Sequence, residues 1–147
     1  MYLPRWQVQK LRYQAISGEG DIVGERGEGY FARVASPMKN VPTKVLIVLV
    51  TPASQKEAVR IGEKMVSSRL AACANVIPGI KSIYRWNRKI VKSGETLLML
   101  KSTELRYQAL EKAIKAMHSY ETPEIVALEV RAGFDQYMGW VRGETHV

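Results

Sequence analysis

Six consecutive branched aliphatic residues, VLIVLV at Val45–Val50, place the first constraint on this chain. The run is too short for a buried helix and too apolar for an edge strand, so it predicts a strand in the middle of a sheet. Thr51-Pro52 stops it. Ser54-Gln-Lys-Glu57 then matches a capping box, and Ala58, Ile61, Met65, Val66 and Leu70 fall on one stripe of a helix ending near Leu70. A central strand therefore feeds an amphipathic helix.

Strand character returns from Ala72 to Trp86, broken at Pro78-Gly79, a pair that suits a bulge or bend better than a regular ladder. Ile83 and Tyr84 alternate against Lys81 and Arg85, as in a long, partly exposed arm. Asn87-Arg88 predicts a two-residue turn, although glycine is the usual second residue there. Lys89 to Lys101 comes back as a strand, with Ser93-Gly94 as a second bend opposite Pro78-Gly79 and TLLMLK as its buried half. Ser102 or Thr103 caps a second helix whose expected inner stripe is Leu105, Ala109, Leu110, Ala113, Ile114 and Met117. Thr122-Pro123 breaks the chain, Ile125 to Val130 is a last strand, and Phe134, Tyr137, Met138 and Val141 are spaced for a short terminal helix beside Trp140.

The order βαββαβ plus one helix predicts an α+β fold, the ferredoxin-like sandwich: a four-stranded antiparallel sheet with both crossover helices on one face. The other face stays open. Such a monomer leaves apolar sheet and hairpin residues uncovered, so association through the sheet or its edges is expected.

The 147 residues, 46% of them hydrophobic, suffice for one domain with a real core. Residues 1–43 carry no sustained period and concentrate glycine and acid in GEGDIVGERGEG, so they read as an N-terminal extension ahead of a domain over residues 44–147. Arg5, Lys10 and Arg12 among apolar residues give the first sixteen positions a transit-peptide composition. The expected location is cytoplasmic, or organellar if residues 1–43 are such a peptide. No apolar run approaches the roughly 20 residues that cross a bilayer, so no membrane partner is expected. The formal charge of +8 is scattered from Arg5 to Arg142, and its densest group, Arg85, Arg88, Lys89 and Lys92, reads as a solvated loop before a polyanion site.

Several ordered stretches then resemble one family. RLAACANVIPGIKSIYRWNRKI, followed by GETLLMLKS, HSYETPEIVALEV and YMGWV, is similar to CutA, the divalent-cation tolerance family, from about Lys44 to Trp140. The resemblance implies a PII-like homotrimer with hairpins crossing between subunits, a link to copper and other divalent-metal tolerance, and no catalytic activity. The chain departs from the pattern where bacterial members place their proposed copper donors. Val50 stands at the cysteine position, and Met117-His118 replaces a histidine pair. Arg88 stands where the family hairpin commonly has glycine.

These considerations nominate His118, with Met117 as a soft thioether, for weak binding of copper or another divalent cation, and no required cofactor. Tyr84, Trp86, Lys101, Tyr120, Glu124 and Trp140 are expected in a trimer-locking network or a cleft between subunits, with Glu124 as the carboxylate for Lys101. Cys73 lies among small apolar residues and is expected to be structural core packing. His118 and His146 are the only histidines, so no Ser-His-Asp arrangement is suggested. No phosphate loop appears, and TLLMLK and VLIVLV lack the exposed aromatic pair that stacks nucleic-acid bases, so no nucleic-acid partner is expected. The expected function is non-enzymatic divalent-metal tolerance by a homotrimer; the alternatives are a PII-like small-ligand sensor and a trimeric scaffold with a protein partner.

Overall fold

A computed structural model describes residues 42–146. The extension expected over residues 1–43 lies outside them except for Pro42 and Thr43. The elements are β1 (Val45–Val50), α1 (Gln55–Ser67), β2 (Cys73–Trp86), β3 (Lys89–Thr103), α2 (Glu104–Met117), β4 (Ile125–Glu129) and α3 (Asp135–Thr145). They form a four-stranded sheet in the order β2-β3-β1-β4, and every neighbouring pair is antiparallel. This is the expected α+β, ferredoxin-like arrangement.

β1 is central, as its composition requires, with Val48 paired to Leu100 on one side and Ala127 on the other. Successive strand side chains point to opposite faces. Leu46, Val48 and Val50 therefore join Leu98 and Leu100 on the inner face, against Ala58, Ile61 and Met65 of α1 and Leu110 and Ile114 of α2. Each fully buried aliphatic side chain contributes about 1.5–3 kcal/mol relative to exposure. Gly62 lets α1 approach the sheet closely, because a Cβ there would stand 3.1 Å from the Ala74 Cβ and 3.4 Å from a Leu98 methyl.

Helical geometry corrects the predicted stripes. Leu105 is 79% exposed. It precedes Leu110 by five residues, about 140° around the helix at 100° per residue, so it faces away from the buried pair Leu110 and Ile114. The same offset from Ile61 leaves Val66 exposed. In α3, Met138 and Val141 point inward to Val45 and Ala72, whereas Phe134 sits ahead of the first turn and is 70% exposed.

The ladder between β2 and β3 shifts register between Ile77 and Ile80, where Gly79 adopts φ +77°. The expected partner bend at Ser93-Gly94 is not found: Ser93 pairs with Ser82 and Gly94 with Lys81 in regular register, so one bulge in β2 is sufficient. Asn87 and Arg88 both have positive φ, 46° and 64°, as the mirror-image hairpin turn demands. Among the described residues no helix is long and apolar enough to cross a membrane.

A third non-glycine residue, Arg69, also has positive φ, 58°. It closes α1 with paired hydrogen bonds, Arg69 N–H to the Val66 carbonyl at 3.1 Å and Leu70 N–H to the Met65 carbonyl at 2.9 Å. Its guanidinium meanwhile donates to the Gly143 and Glu144 carbonyls, each at 3.0 Å, at the end of α3. Helix C-terminal carbonyls are short of intrahelical donors, and here Gly143 has only the His146 N–H at 3.4 Å. Arg69 thus ties two helix ends together.

Two substitutions at positive φ should move stability in opposite directions. Arg88→Gly relieves about 1–2 kcal/mol of left-handed strain, offset by about 0.4–1 kcal/mol of unfolded-state entropy, for a net gain of about 0.5 kcal/mol. Arg69→Gly has the same backbone benefit but loses two charge-assisted hydrogen bonds, for a net loss of about 1 kcal/mol. Urea denaturation midpoints of the two variants against the parent check both signs.

Candidate functional site

The most connected polar group is built where α1 begins and α2 ends. Ser54 caps α1, its Oγ accepting from Glu57 N–H at 3.2 Å. Glu57 reaches back in capping-box fashion to accept from Ala53 N–H at 3.1 Å. The same carboxylate accepts from Ser119 N–H at 2.6 Å and from the Ser119 hydroxyl at 3.0 Å. One acidic side chain therefore satisfies two chain segments 62 residues apart. Burial pushes the Glu57 carboxyl up, but the hydrogen bonds from Ser119 and Ala53 outweigh it and hold Glu57 below the ordinary carboxylate value.

His118 caps the end of α2 and is buried in the same place. Its Nδ1 accepts from Tyr120 N–H at 3.1 Å and stands 3.9 Å from Glu57. An acceptor at Nδ1 places the ring hydrogen on Nε2, which is buried without a hydrogen-bond partner among the described residues. The Tyr120 ring lies over His118 with centroids 5.0 Å apart. Burial pushes the Tyr120 phenol up to about 12, helped by its hydrogen bond to Glu95 and by the charges of Glu95 and Glu57. The Tyr84 phenol, on β2, adds a smaller upward push. His118 and Tyr120 are thus brought together.

The remaining nominated residues lie elsewhere. Met117 packs partly buried against the main core, and its carbonyl accepts from Arg60 at 2.8 Å. Trp86 is 55% exposed at the far end of the arm. Trp140 packs on Val45, Ala72, Met138 and Val141, with its ring centroid 5.5 Å from that of Tyr137. The Lys101 ammonium meets Asn75 Oδ1 in place of Glu124, which is exposed. Asn75 is two residues from Cys73, the direct cross-strand partner of Lys101, so an amide is already within reach of the ammonium.

Cys73 is half-buried at the start of β2, outside the main core cluster, and not enclosed as expected. The reason is parity: Ala74 turns inward to the helices, which turns Cys73 to the opposite face. Sequence reasoning noticed Glu57 only as a cap and missed Ser119, Glu95, Asn75 and Tyr137. The capping-box match was the available signal for Glu57; the other four depend on long-range pairing.

Among the described residues, no three of His, Cys, Asp or Glu converge to hold a metal ion. Within one chain the His118 and Met117 pair does not fit a metal, because the imidazole is enclosed, its Nδ1 is engaged and its Nε2 carries hydrogen. This arrangement stabilises the α2–β4 connection.

The fold and this connection define an α+β sandwich whose second sheet face is covered by α3 only around Val45. The profile of the CutA1 divalent ion tolerance protein family matches residues 46–144. The divalent-cation tolerance protein CutA of Thermus thermophilus is 42% identical over 99 residues, covering 67% of this chain and 96% of that protein. Protein CutA 1, chloroplastic, of Oryza sativa subsp. japonica is 36% identical over 114 residues, 78% of this chain, which spans 63% of that protein's length. The solved divalent cation tolerance protein (Cut A1) from Thermus thermophilus superposes with a TM-score of 0.68 at 41% identity, covering 69% of this chain and 99% of that one. The chain belongs to the CutA1 divalent ion tolerance protein family.

The Glu57 connection predicts a pH signature. A carboxyl held below its unfolded value contributes stability that is present above about pH 4.3 and is lost as pH falls through the folded value. Glu57→Gln should lower stability at pH 7 by about 1–3 kcal/mol and flatten the loss between about pH 5 and pH 3. Denaturant titrations across that range check both effects.

Proposed function

We propose that this chain is a non-enzymatic homotrimer acting in divalent-cation tolerance. The observation supporting assembly is an uncovered strip of sheet. In one row Met99, Leu49 and Val126 lie side by side; in the next, Lys101, Ile47 and Leu128 do. The strip continues along the arm through Leu97, Ile80, Tyr84, Val91 and Trp86, which share its face once the β2 bulge is counted. An apolar surface of this extent marks an interaction site. The relatives' names support the physiological role, and Val126 and Leu128 are exposed on an edge strand.

Any copper or divalent-cation site on this chain is weak and takes donors from more than one subunit. His118 and Met117 do not form one within a single chain. A second reading places a small anion between subunits, supported by Lys101, which has no carboxylate within ion-pair distance among the described residues.

Light scattering with size exclusion should give a mass of about 50 kDa, three copies of the 16.6 kDa chain. Leu49→Glu should reduce it to that of one chain and abolish any calorimetric Cu(II) response. A parent protein of single-chain mass removes the proposal; an unchanged Cu(II) response in the dissociated variant removes the shared-donor part.

A further inference from the structure

Two opposite charges on the outer sheet face lack ionic partners within their own chain. Glu95, Leu97, Met99 and Lys101 alternate along β3, so all four share the face that α1 and α2 do not cover. Glu57 and Glu95 are the buried carboxylates among the described residues. Glu57 is satisfied by hydrogen bonds from Ala53 and Ser119. Glu95 has the Tyr120 phenol, and no cation within ion-pair distance among the described residues. A buried carboxylate left without a cation is costly.

Lys101 is the complementary case. Its ammonium is half-buried and meets the neutral amide of Asn75, again with no carboxylate within ion-pair distance among the described residues. Glu95 and Lys101 cannot satisfy each other inside one chain. Six positions of extended strand hold their backbones roughly 20 Å apart, beyond the combined reach of the two side chains. Glu121 and Glu124 are exposed and keep water as partner, so burial singles out Glu95 as the acid in need of a cation.

We propose that Glu95 of one subunit forms an ion pair with Lys101 of the next, and that this pair fixes how copies of the chain pack on their outer sheet faces. The inference rests on the homotrimer reading. Leu97 and Met99 lie between the two charges, so the apolar strip carries an acid at one end and a base at the other. A second copy of the chain complements that pattern in both charge and apolar surface. Each subunit offers one carboxylate and one ammonium, so head-to-tail pairing closes a ring with no charge left over. Covering this face removes the water that both groups still meet, and their pairing then offsets that loss. The neighbour's Glu95 takes the place that the second reading gives to a small anion.

Sedimentation velocity on the full chain over a dilution series tests this, reading the concentration at which half the trimer dissociates. Glu95→Gln and Lys101→Gln are each expected to raise that concentration about tenfold or more. The double variant should go no more than about threefold beyond the worse single one, because the same pair is lost in all three. Positions this far apart in one chain otherwise act additively. Glu95→Lys or Lys101→Glu alone should dissociate the trimer, and the two together should bring it back to within about tenfold of the parent. Circular dichroism identifies folded variants, and the neutral set decides the matter if the reversed set does not fold. A trimeric parent whose two neutral losses multiply in the double variant would overturn the pair and leave the trimer reading standing. So would a Glu95→Gln trimer that dissociates as the parent does. A parent of single-chain mass at every concentration would overturn both.

Discussion

The pairing of β1 with strands on both sides is the constraint on which the rest depends. Val45–Val50 has no exposed edge, so its backbone must be satisfied by β3 and β4 together. Its inward side chains define the plane against which α1 and α2 pack. Its outward ones, Ile47 and Leu49, place apolar surface in the middle of the opposite face. The same run that nucleates the core thus makes the subunit incomplete alone.

Other interactions connect what β1 cannot reach. Glu57 links the start of α1 to the α2–β4 connection, and Arg69 links the end of α1 to the end of α3. Both are charged groups meeting backbone polar groups beside helix ends: Glu57 accepts from Ala53 and Ser119 N–H, and Arg69 donates to the Gly143 and Glu144 carbonyls. Ser102 donates to the Leu70 carbonyl at 2.6 Å, and Ala72 N–H to the Lys101 carbonyl at 2.8 Å, closing the turn into β2. α1 is consequently fixed at both ends, and the α2–β4 connection is placed relative to it.

Periodicity and punctuation made most of the fold legible. VLIVLV, the Ser54–Glu57 box, the Pro78-Gly79 break and the Asn87-Arg88 turn each have a local physical cause, and each lies where local reasoning puts it. Leu105 was misread because an apolar residue at a helix start was counted without its angle to Leu110. The site was less legible because it depends on long-range pairing. Cys73 and Asn75 meet Lys101 only once β2 and β3 are in register, and Ser119 meets Glu57 only once the chain has folded back. His118 looked like a free ligand because its sequence neighbours offered donors, whereas the fold encloses the ring.

The account rests on the open sheet face being covered by neighbouring copies in solution. Amide hydrogen exchange along Ile80–Trp86 and Ile125–Glu129, followed over a hundredfold dilution, addresses this directly. Covered strands should exchange slowly at high concentration and speed up in parallel on dilution, while the inner pairs of β1 and β3 remain slow. Exchange in both segments that is fast at every concentration would contradict the account.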